Sequence, residues 1–305
     1  MSGFIAKIVS VFVGIVSVIL PLTSTGSTEI APKPTAPAIV KHTDIKKQEL
    51  KIMTYNVYIG GKGAQSPDNR LNGVAQTILA QNPDSIGLQE ADEFWRWNLK
   101  FALREKYAIA CDYGRHLGMS EGSPIFYRKD KFKLIDEGTF WLSDTPGLYS
   151  MGWDAASVRI AAWALLEDKT TGFRYYHYNA HLDHLGEAAR INAAALIANK
   201  INAPNLPTVL TGDFNFAPSH RGYSYLTGAG IKDTRTLATQ TKDSGRTFHG
   251  YANVTTRSGN PIDFVFANQQ YLRAVRSYDI VHTRYDGMYP SDHFAVVSIL
   301  TLANQ

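Results

Sequence analysis

Thr208-Val209-Leu210-Thr211-Gly212-Asp213-Phe214-Asn215 is the stretch on which the reading of this chain turns. An apolar, β-branched run enters a glycine, where the backbone can approach a ligand closely, and then sets two polar side chains around a phenylalanine. If the extended conformation continues, Asp213 and Asn215 face the same way, because successive side chains on a strand alternate. An Asp can take a proton from water, and an Asn can donate a hydrogen bond to a phosphate or metal-bound oxygen. An ordinary Asp/Asn turn after a strand has the same appearance, so the stretch alone does not separate site from turn.

Four further stretches resolve the ambiguity. Asp263 sits inside the apolar run Pro261-Ile262-Asp263-Phe264-Val265-Phe266, where a charge is costly unless paired. Ser291-Asp292-His293 precedes the strand-like Phe294–Leu300, and a histidine is the natural partner for that Asp. An Asp accepting from one ring nitrogen fixes the tautomer and supports the imidazolium, although a backbone turn or an arginine would also satisfy it. Near the start, Tyr55-Asn56 closes one apolar run and Leu88-Gln89-Glu90 another, the latter continuing into the acidic Ala91-Asp92-Glu93 of a solvated loop. Hydrolysing a phosphate ester requires neutralised oxyanion charge, an activated water and a protonated leaving oxygen. Hard ions such as Mg²⁺ take oxygen ligands and one or two carboxylates, which is what these stretches offer. Together they read as one metal-dependent hydrolytic site.

Outward from these stretches, strands are predicted over Leu50–Asn56, Ser85–Gln89, Ile125–Arg128, Lys133–Trp141, Ile160–Leu166, Arg174–His181, Pro207–Asp213, Ile262–Ala267 and Phe294–Leu300. Helices are predicted over Leu71–Gln81, stopped by Asn82-Pro83, and Glu187–Asn202, with Ile191, Ala194, Ala198 and Ile201 at helical spacing. Strands outnumber helices and do not alternate strictly with them. Two packed mixed sheets with helices outside explain this better than a doubly wound sheet or a barrel. Trp95–Arg104, Trp141–Arg159 and Gln240–Asn260 read as loops around the site.

The 305 residues, 44% hydrophobic and 19% charged, suit a globular chain with a sizeable core. A net charge of +4 is compatible with anionic substrates but falls short of the basic stripe of a dedicated nucleic-acid binder. Lys7 followed by the apolar run Ile8–Leu20 reads as an export signal, or as a retained membrane anchor, over residues 1–28. The run is short for a membrane span of roughly 17 to 25 residues. Residues 29–48, with Pro32, Pro34 and Pro37, read as a linker, and residues 49–305 as one domain. The expected destination is the periplasm or the medium, with a membrane tether if the segment is retained. The lone cysteine, Cys111, excludes a disulfide framework and reads as a small buried side chain.

In order, Met53-Thr54-Tyr55-Asn56, Leu88-Gln89-Glu90, Asn179-Ala180-His181-Leu182, Gly212-Asp213-Phe214-Asn215, Ile262-Asp263-Phe264 and Ser291-Asp292-His293 resemble the motifs of the endonuclease/exonuclease/phosphatase superfamily, from Leu50 to about Leu300. The resemblance implies a DNase I-like four-layer α/β sandwich with the site at the strand ends, and a Mg²⁺ or Mn²⁺ cofactor. It implies that Asn56 and Glu90 hold the metal or its waters, with Asp292 reaching toward it. Asp213 would orient or deprotonate the attacking water. Asn56 and Asn215 would bind phosphate oxygen, and His181 would contact the phosphate or assist the leaving group. His293, paired with Asp263, would stabilise the transition state or act as base.

Trp141-Leu142-Ser143-Asp144-Thr145-Pro146, Gly152-Trp153-Asp154-Ala155-Ala156, His181-Leu182-Asp183-His184 and Thr247-Phe248-His249-Gly250 are similar to segments of bacterial members. Arg159 is a candidate phosphate clamp, because a guanidinium grips two oxygens at once; a structural ion pair is the competing reading. His249 and Glu121 are weaker candidates, and Arg190 reads as a structural ion pair. Signatures of inositol 5-phosphatases and apurinic endonucleases are absent: the nearest segments are Gly212-Asp213-Phe214-Asn215-Phe216 and Asn260-Pro261-Ile262-Asp263-Phe264. The expected protein is a monomeric metal-dependent phosphoesterase acting on a phosphodiester or phosphomonoester. A secreted nuclease acting on DNA or RNA, and a non-catalytic binding module, are the alternatives.

Overall fold

Alternation within Ser85-Ile86-Gly87-Leu88-Gln89 shows how the layers arise. Ile86 and Leu88 pack outward with Val74, Ile78, Trp95 and Leu99 of two helices, while Ser85, Gly87 and Gln89 point inward to a second sheet. The computed structural model describes residues 45–112, 122–251 and 258–304. They belong to one unit, Asp44–Gln305. The expected export segment, residues 29–44 of the expected linker, and Glu121 lie outside the described residues. Lys47 and Gln48, assigned to the linker by sequence, are strand residues instead, because they pair with Ala303 and Leu302.

The first sheet has the order β10 (Ala238–Thr241), β12 (Leu272–Val281), β13 (Ala295–Ala303), β1 (Lys47–Asn56), β2 (Ser85–Gln89), β4 (Ile125–Arg128) and β3 (Tyr107–Ala110). The second runs β5 (Phe132–Trp141), β6 (Ile160–Asp168), β7 (Arg174–His181), β8 (Thr208–Asp213), β11 (Asp263–Asn268) and β9 (Ile231–Asp233). Both mix parallel and antiparallel pairs. Helices α1 (Pro67–Gln81) and α2 (Glu93–Ala102) cover the outer face of the first sheet. Helices α3 (Glu187–Asn202) and α4 (Arg221–Gly228) cover the second, through Ala194, Ile197 and Leu226 against Tyr178, Leu210 and Phe264. Leu50, Ile52, Ile125, Ala164, Val209, Val265 and Leu300 fill the space between the sheets, which completes the four layers. Among the described residues no helix is long and apolar enough to cross a membrane.

The sequence reading missed α2, α4, β3, β9, β10 and β12. Trp95–Arg104 is largely helix α2, whose first turn is capped by Asp92 accepting from the Trp95 N–H at 3.0 Å. The unpredicted β12 pairs along most of β13.

Toward the site the contact between sheets becomes polar. His177, fully buried, has Nδ1 2.8 Å from Ser85 Oγ and Nε2 2.8 Å from Thr211 Oγ1. Gln89 donates to Thr54 Oγ1 at 3.0 Å and to Asn179 Oδ1 at 2.7 Å. Gly87 admits this layer: a Cβ there would lie 2.1 Å from Thr211 Oγ1. These buried hydrogen bonds favour one arrangement of the two sheets, with Gln89 Oε1 left without a partner in the layer. Gln89 and Thr211 each stand within two residues of a site carboxylate, Glu90 and Asp213.

Candidate active site

Strand register assembles the site. His181, the last residue of β7, pairs with Asp213, the last of β8, and Asp263, the first of β11, pairs with the same Asp213 from the other side. Paired residues on neighbouring strands present their side chains to the same face, so three chemically active groups meet at one sheet edge. Across the sandwich, Asn56 ends β1, Glu90 follows β2, and Asp292-His293 leads toward β13.

Asp263 and His293 form the pair expected from sequence, with His293 Nδ1 2.9 Å from Asp263 Oδ2, both groups buried. His293 Nε2 lies 3.7 Å from Asp213 Oδ2, and His181 Nε2 lies 3.6 Å from the same oxygen. Burial opposes charging of His293, but the charges of Asp263 and Asp213 and the Asp263 hydrogen bond overcome it and push the imidazole up to about 10. Burial also raises the Asp263 carboxyl, opposed by the charge of His293. Asp213 and Asp292 add their fields to that of Asp263, and all three favour the charged imidazole.

Arg159 Nη1 is 2.9 Å from His181 Nδ1, and Nη2 is 3.4 Å from His184 Nδ1. A guanidinium can only donate, so His181 Nδ1 is the acceptor and its ring proton sits on Nε2, on the Asp213 side. Asp183, 3.8 Å from Arg159 Nε, accepts from the N–H groups of Ser157, Leu185 and Gly186. Burial works against its ionisation, yet these backbone donors hold its carboxyl down at about 2. Arg159 thus rests on a permanent anion and presents its fork to the site.

Asn215 corrects one expectation. The chain does not stay extended: Asn215 takes a left-handed φ of 50°, and its N–H turns back to Asp213 Oδ1 at 2.9 Å. Its Nδ2 donates to Leu182 O at 3.0 Å and lies 3.1 Å from His181 Nε2, so the side chain still lines the site. Gly212 is a second correction. Its open side meets the neighbouring strand, since a Cβ would lie 2.3 Å from the Ala180 carbonyl oxygen.

A cavity of about 600 Å³ opens over these groups, lined on its polar side by Glu90, Arg159, His181, His184, Asp213, Asn215, Asp292 and His293. Asn56 does not line it. That residue is fully buried and donates through Nδ2 to Glu90 Oε1 at 3.0 Å and to Asp213 Oδ2 at 2.9 Å, while its Oδ1 accepts from Tyr58 N at 2.9 Å. Its amide positions both carboxylates from behind the cavity wall. His249 does not line the cavity either: it is buried among Tyr251, Tyr289 and Phe294, its nearest ring 4.3 Å away. Burial, and then the charge of His293, push it down to about 4. Arg190 makes the expected ion pair, 2.8 Å from Glu187.

Two donor sets could serve a cation. Asp213, Asp263 and His293 bring one ligand atom each within 4.8 Å of one another. Asp263 and His293, however, are already committed to each other. Glu90 and Asp292 line the cavity, and the Asp292 carboxyl is raised to about 6, first by burial and also by the charge of Glu90, against the pull of His293. Asp292, whose ionisation is opposed by burial and by the charge of Glu90, stands with Glu90 as a pair of oxygen donors that fits a hard divalent cation.

The cavity also has residues the sequence did not single out. Tyr58, Tyr149 and Phe248 line it, and Thr247 Oγ1 accepts from the N–H groups of Ile262 and Asp263 at 3.0 and 3.1 Å. The Thr247-Phe248-His249-Gly250 segment was the available signal for two of them.

The sequence profile of the Endonuclease/Exonuclease/phosphatase family matches residues 53–293. The chain belongs to this family. Among solved structures it is similar to a family protein from Bacteroides vulgatus, at 33% identity and a TM-score of 0.75 over 84% of this chain and 99% of that one. It is also similar to the mannosyl-6-phosphatase of Bacteroides thetaiotaomicron, at 32% identity and a TM-score of 0.73 over 82% and 99%. Human nocturnin is 21% identical over 73% of this chain, which spans only 56% of that relative's length. Family membership supports a phosphoesterase- or nuclease-type hydrolase, and the family is generally dependent on a divalent metal.

Proposed function

We propose that this chain is a divalent-metal-dependent phosphomonoesterase acting on a sugar phosphate or a compound of similar size. The observation that carries this reading is the convergence of Arg159, His181, Asn215 and His293 with Asp213 on a cavity of about 600 Å³, the size of a small-ligand site. Similarity to a mannosyl-6-phosphatase across nearly all of that chain supports the substrate class.

A divalent cation of the Mg²⁺ or Mn²⁺ kind, held by Glu90 and Asp292, supplies positive charge to the phosphate oxygens when bound. Arg159 and Asn215 grip and orient the phosphoryl group. His293, kept protonated by Asp263, is unsuited to take a proton at neutral pH and instead meets the growing negative charge of the transition state. That leaves Asp213 to accept the proton of the attacking water, with Asn56 fixing its oxygen. His181, neutral with its ring proton on Nε2, hydrogen-bonds the leaving oxygen, which takes up the proton that Asp213 received from the water.

The test is phosphate release by the full-length protein from sugar phosphates, nucleotides, inositol phosphates and phospholipids, with parallel nuclease assays, each with and without chelator. Metal-dependent turnover of sugar phosphates, abolished in Asp213→Ala, is expected. Unchanged turnover after chelation, or nucleic-acid cleavage falling steeply with salt in place of monoester turnover, would overturn the reading.

A further inference from the structure

Apart from the groups directed at phosphate and cation, the described residues lining the cavity are uncharged: Tyr58, Ile59, Tyr149, Ser157, Phe248 and Ile262 among them. Two of these leave aromatic surface in solvent, Tyr149 at 58% exposed and Phe248 at 44%. Isolated exposed rings are common on protein surfaces. These two share one cavity, and each is backed by another ring. Tyr149 stands edge-on to Trp141 with centroids 4.9 Å apart, and Phe248 lies 4.8 Å from the His293 ring.

Both segments are also held firmly. Trp141 N donates to Pro146 O at 2.9 Å, Leu148 N to Thr145 O at 2.9 Å, and Trp153 Nε1 to Asp144 Oδ1 at 2.8 Å, which pins the loop bearing Tyr149. The His249 N–H donates to Asp292 O at 2.9 Å, which pins the backbone beside Phe248. Rings fixed before a ligand arrives lose little entropy when one stacks on them.

We propose that Tyr149 and Phe248 form a leaving-group subsite that takes an uncharged pyranose ring of the phosphate ester. This deepens, and rests on, the phosphomonoesterase reading above. The electron-rich faces of the two aromatic rings suit the C–H face of a sugar. The hydroxyls of Tyr58, Tyr149 and Ser157 suit its polar rim. Among the described residues the three lining carboxylates, Glu90, Asp213 and Asp292, are engaged at the phosphate end, which leaves none of them for a cationic leaving group.

The experiment compares full-length wild type, Tyr149→Ala, Tyr149→Phe and Phe248→Leu on mannose 6-phosphate, on the acyclic glycerol 3-phosphate and on adenosine 5′-monophosphate. Stacking of this kind predicts that Tyr149→Ala lowers kcat/KM for the hexose ester about tenfold more than for the acyclic one, mainly through KM. Tyr149→Phe should retain the preference, and Phe248→Leu should reduce it. Equal losses on cyclic and acyclic esters would overturn the subsite while leaving the phosphomonoesterase reading intact. A wild-type preference for the nucleotide, lost in the same variants, would overturn the pyranose assignment. Absence of turnover on all three esters by wild type would remove the functional reading and the subsite with it.

Discussion

Asn56 and Asp213 stand on different sheets, yet the Asn56 Nδ2 reaches Asp213 Oδ2 at 2.9 Å and, with its second hydrogen, Glu90 Oε1 at 3.0 Å. One amide therefore sets the spacing between the carboxylate assigned to water and the carboxylate assigned to the cation. Asn56→Ala should lower kcat on the order of 10²-fold, with a smaller change in KM, because a small misplacement of reacting groups is that costly. Steady-state kinetics check this. A rise in KM at constant kcat would instead restore the direct phosphate contact expected from the sequence.

Gly212 tests the register that joins His181 to Asp213. With a methyl 2.3 Å from the Ala180 carbonyl oxygen, Gly212→Ala must push β7 and β8 apart at their paired ends. We expect a loss of about 3 kcal/mol in urea unfolding, at the upper end of ordinary overpacking. Activity per folded molecule should also fall, because the displacement falls on the site itself. A variant as active and as stable as wild type would show that the strands can yield there without cost.

The parts of this fold that were legible in the sequence are those where one chemical pattern had one physical solution. The bounds expected for β2, β4, β7 and α3 are those observed, since apolar alternation or helical spacing ended at clear breakers. Asp263 was legible because a charge in an apolar run demands a partner, and His293 supplies it. Helix α2 was not, because Phe94, Trp95, Trp97 and Phe101 put aromatic residues on buried and exposed sides alike. Strand β12 carries Arg273, Arg276 and Asp279, and its identity comes from pairing with β13, a contact distant in sequence for most of its length. For His249 no local pattern distinguishes a ring caged by aromatics from one aimed at phosphate. The left-handed turn at Asn215 is equally silent in sequence, although Asn tolerates that conformation better than most residues.

Arg159 joins substrate binding to the state of His181. A lysine ammonium is a point donor and cannot hold His181 and His184 together while resting on Asp183, as the guanidinium does at 2.9, 3.4 and 3.8 Å. Arg159→Lys should lower kcat/KM on the order of 10²-fold and weaken inhibition by inorganic phosphate. Retention of phosphate inhibition alongside lost turnover would limit Arg159 to orienting His181.

His177 links the polar layer between the sheets to acid stability. Burial pushes its imidazole down to about 3, and both ring nitrogens are within 2.8 Å of hydroxyls, so it is neutral in the folded protein. The unfolded chain takes up a proton near pH 6.5, whereas the folded chain does not until far lower pH. A group with a depressed folded pKa contributes stability that is present above 6.5 and lost as pH falls through 6.5 toward 3. Between those values the loss from this one group approaches about 1.4 kcal/mol per pH unit. Urea midpoints of wild type should therefore fall from pH 7 to pH 4.5. His177→Gln, less stable at pH 7 because Ser85 and Thr211 lose their shared partner, should show a shallower decline over the same range. Parallel declines in the two proteins would assign the acid sensitivity to other groups, His249 first among them, since its own pKa is lowered to about 4.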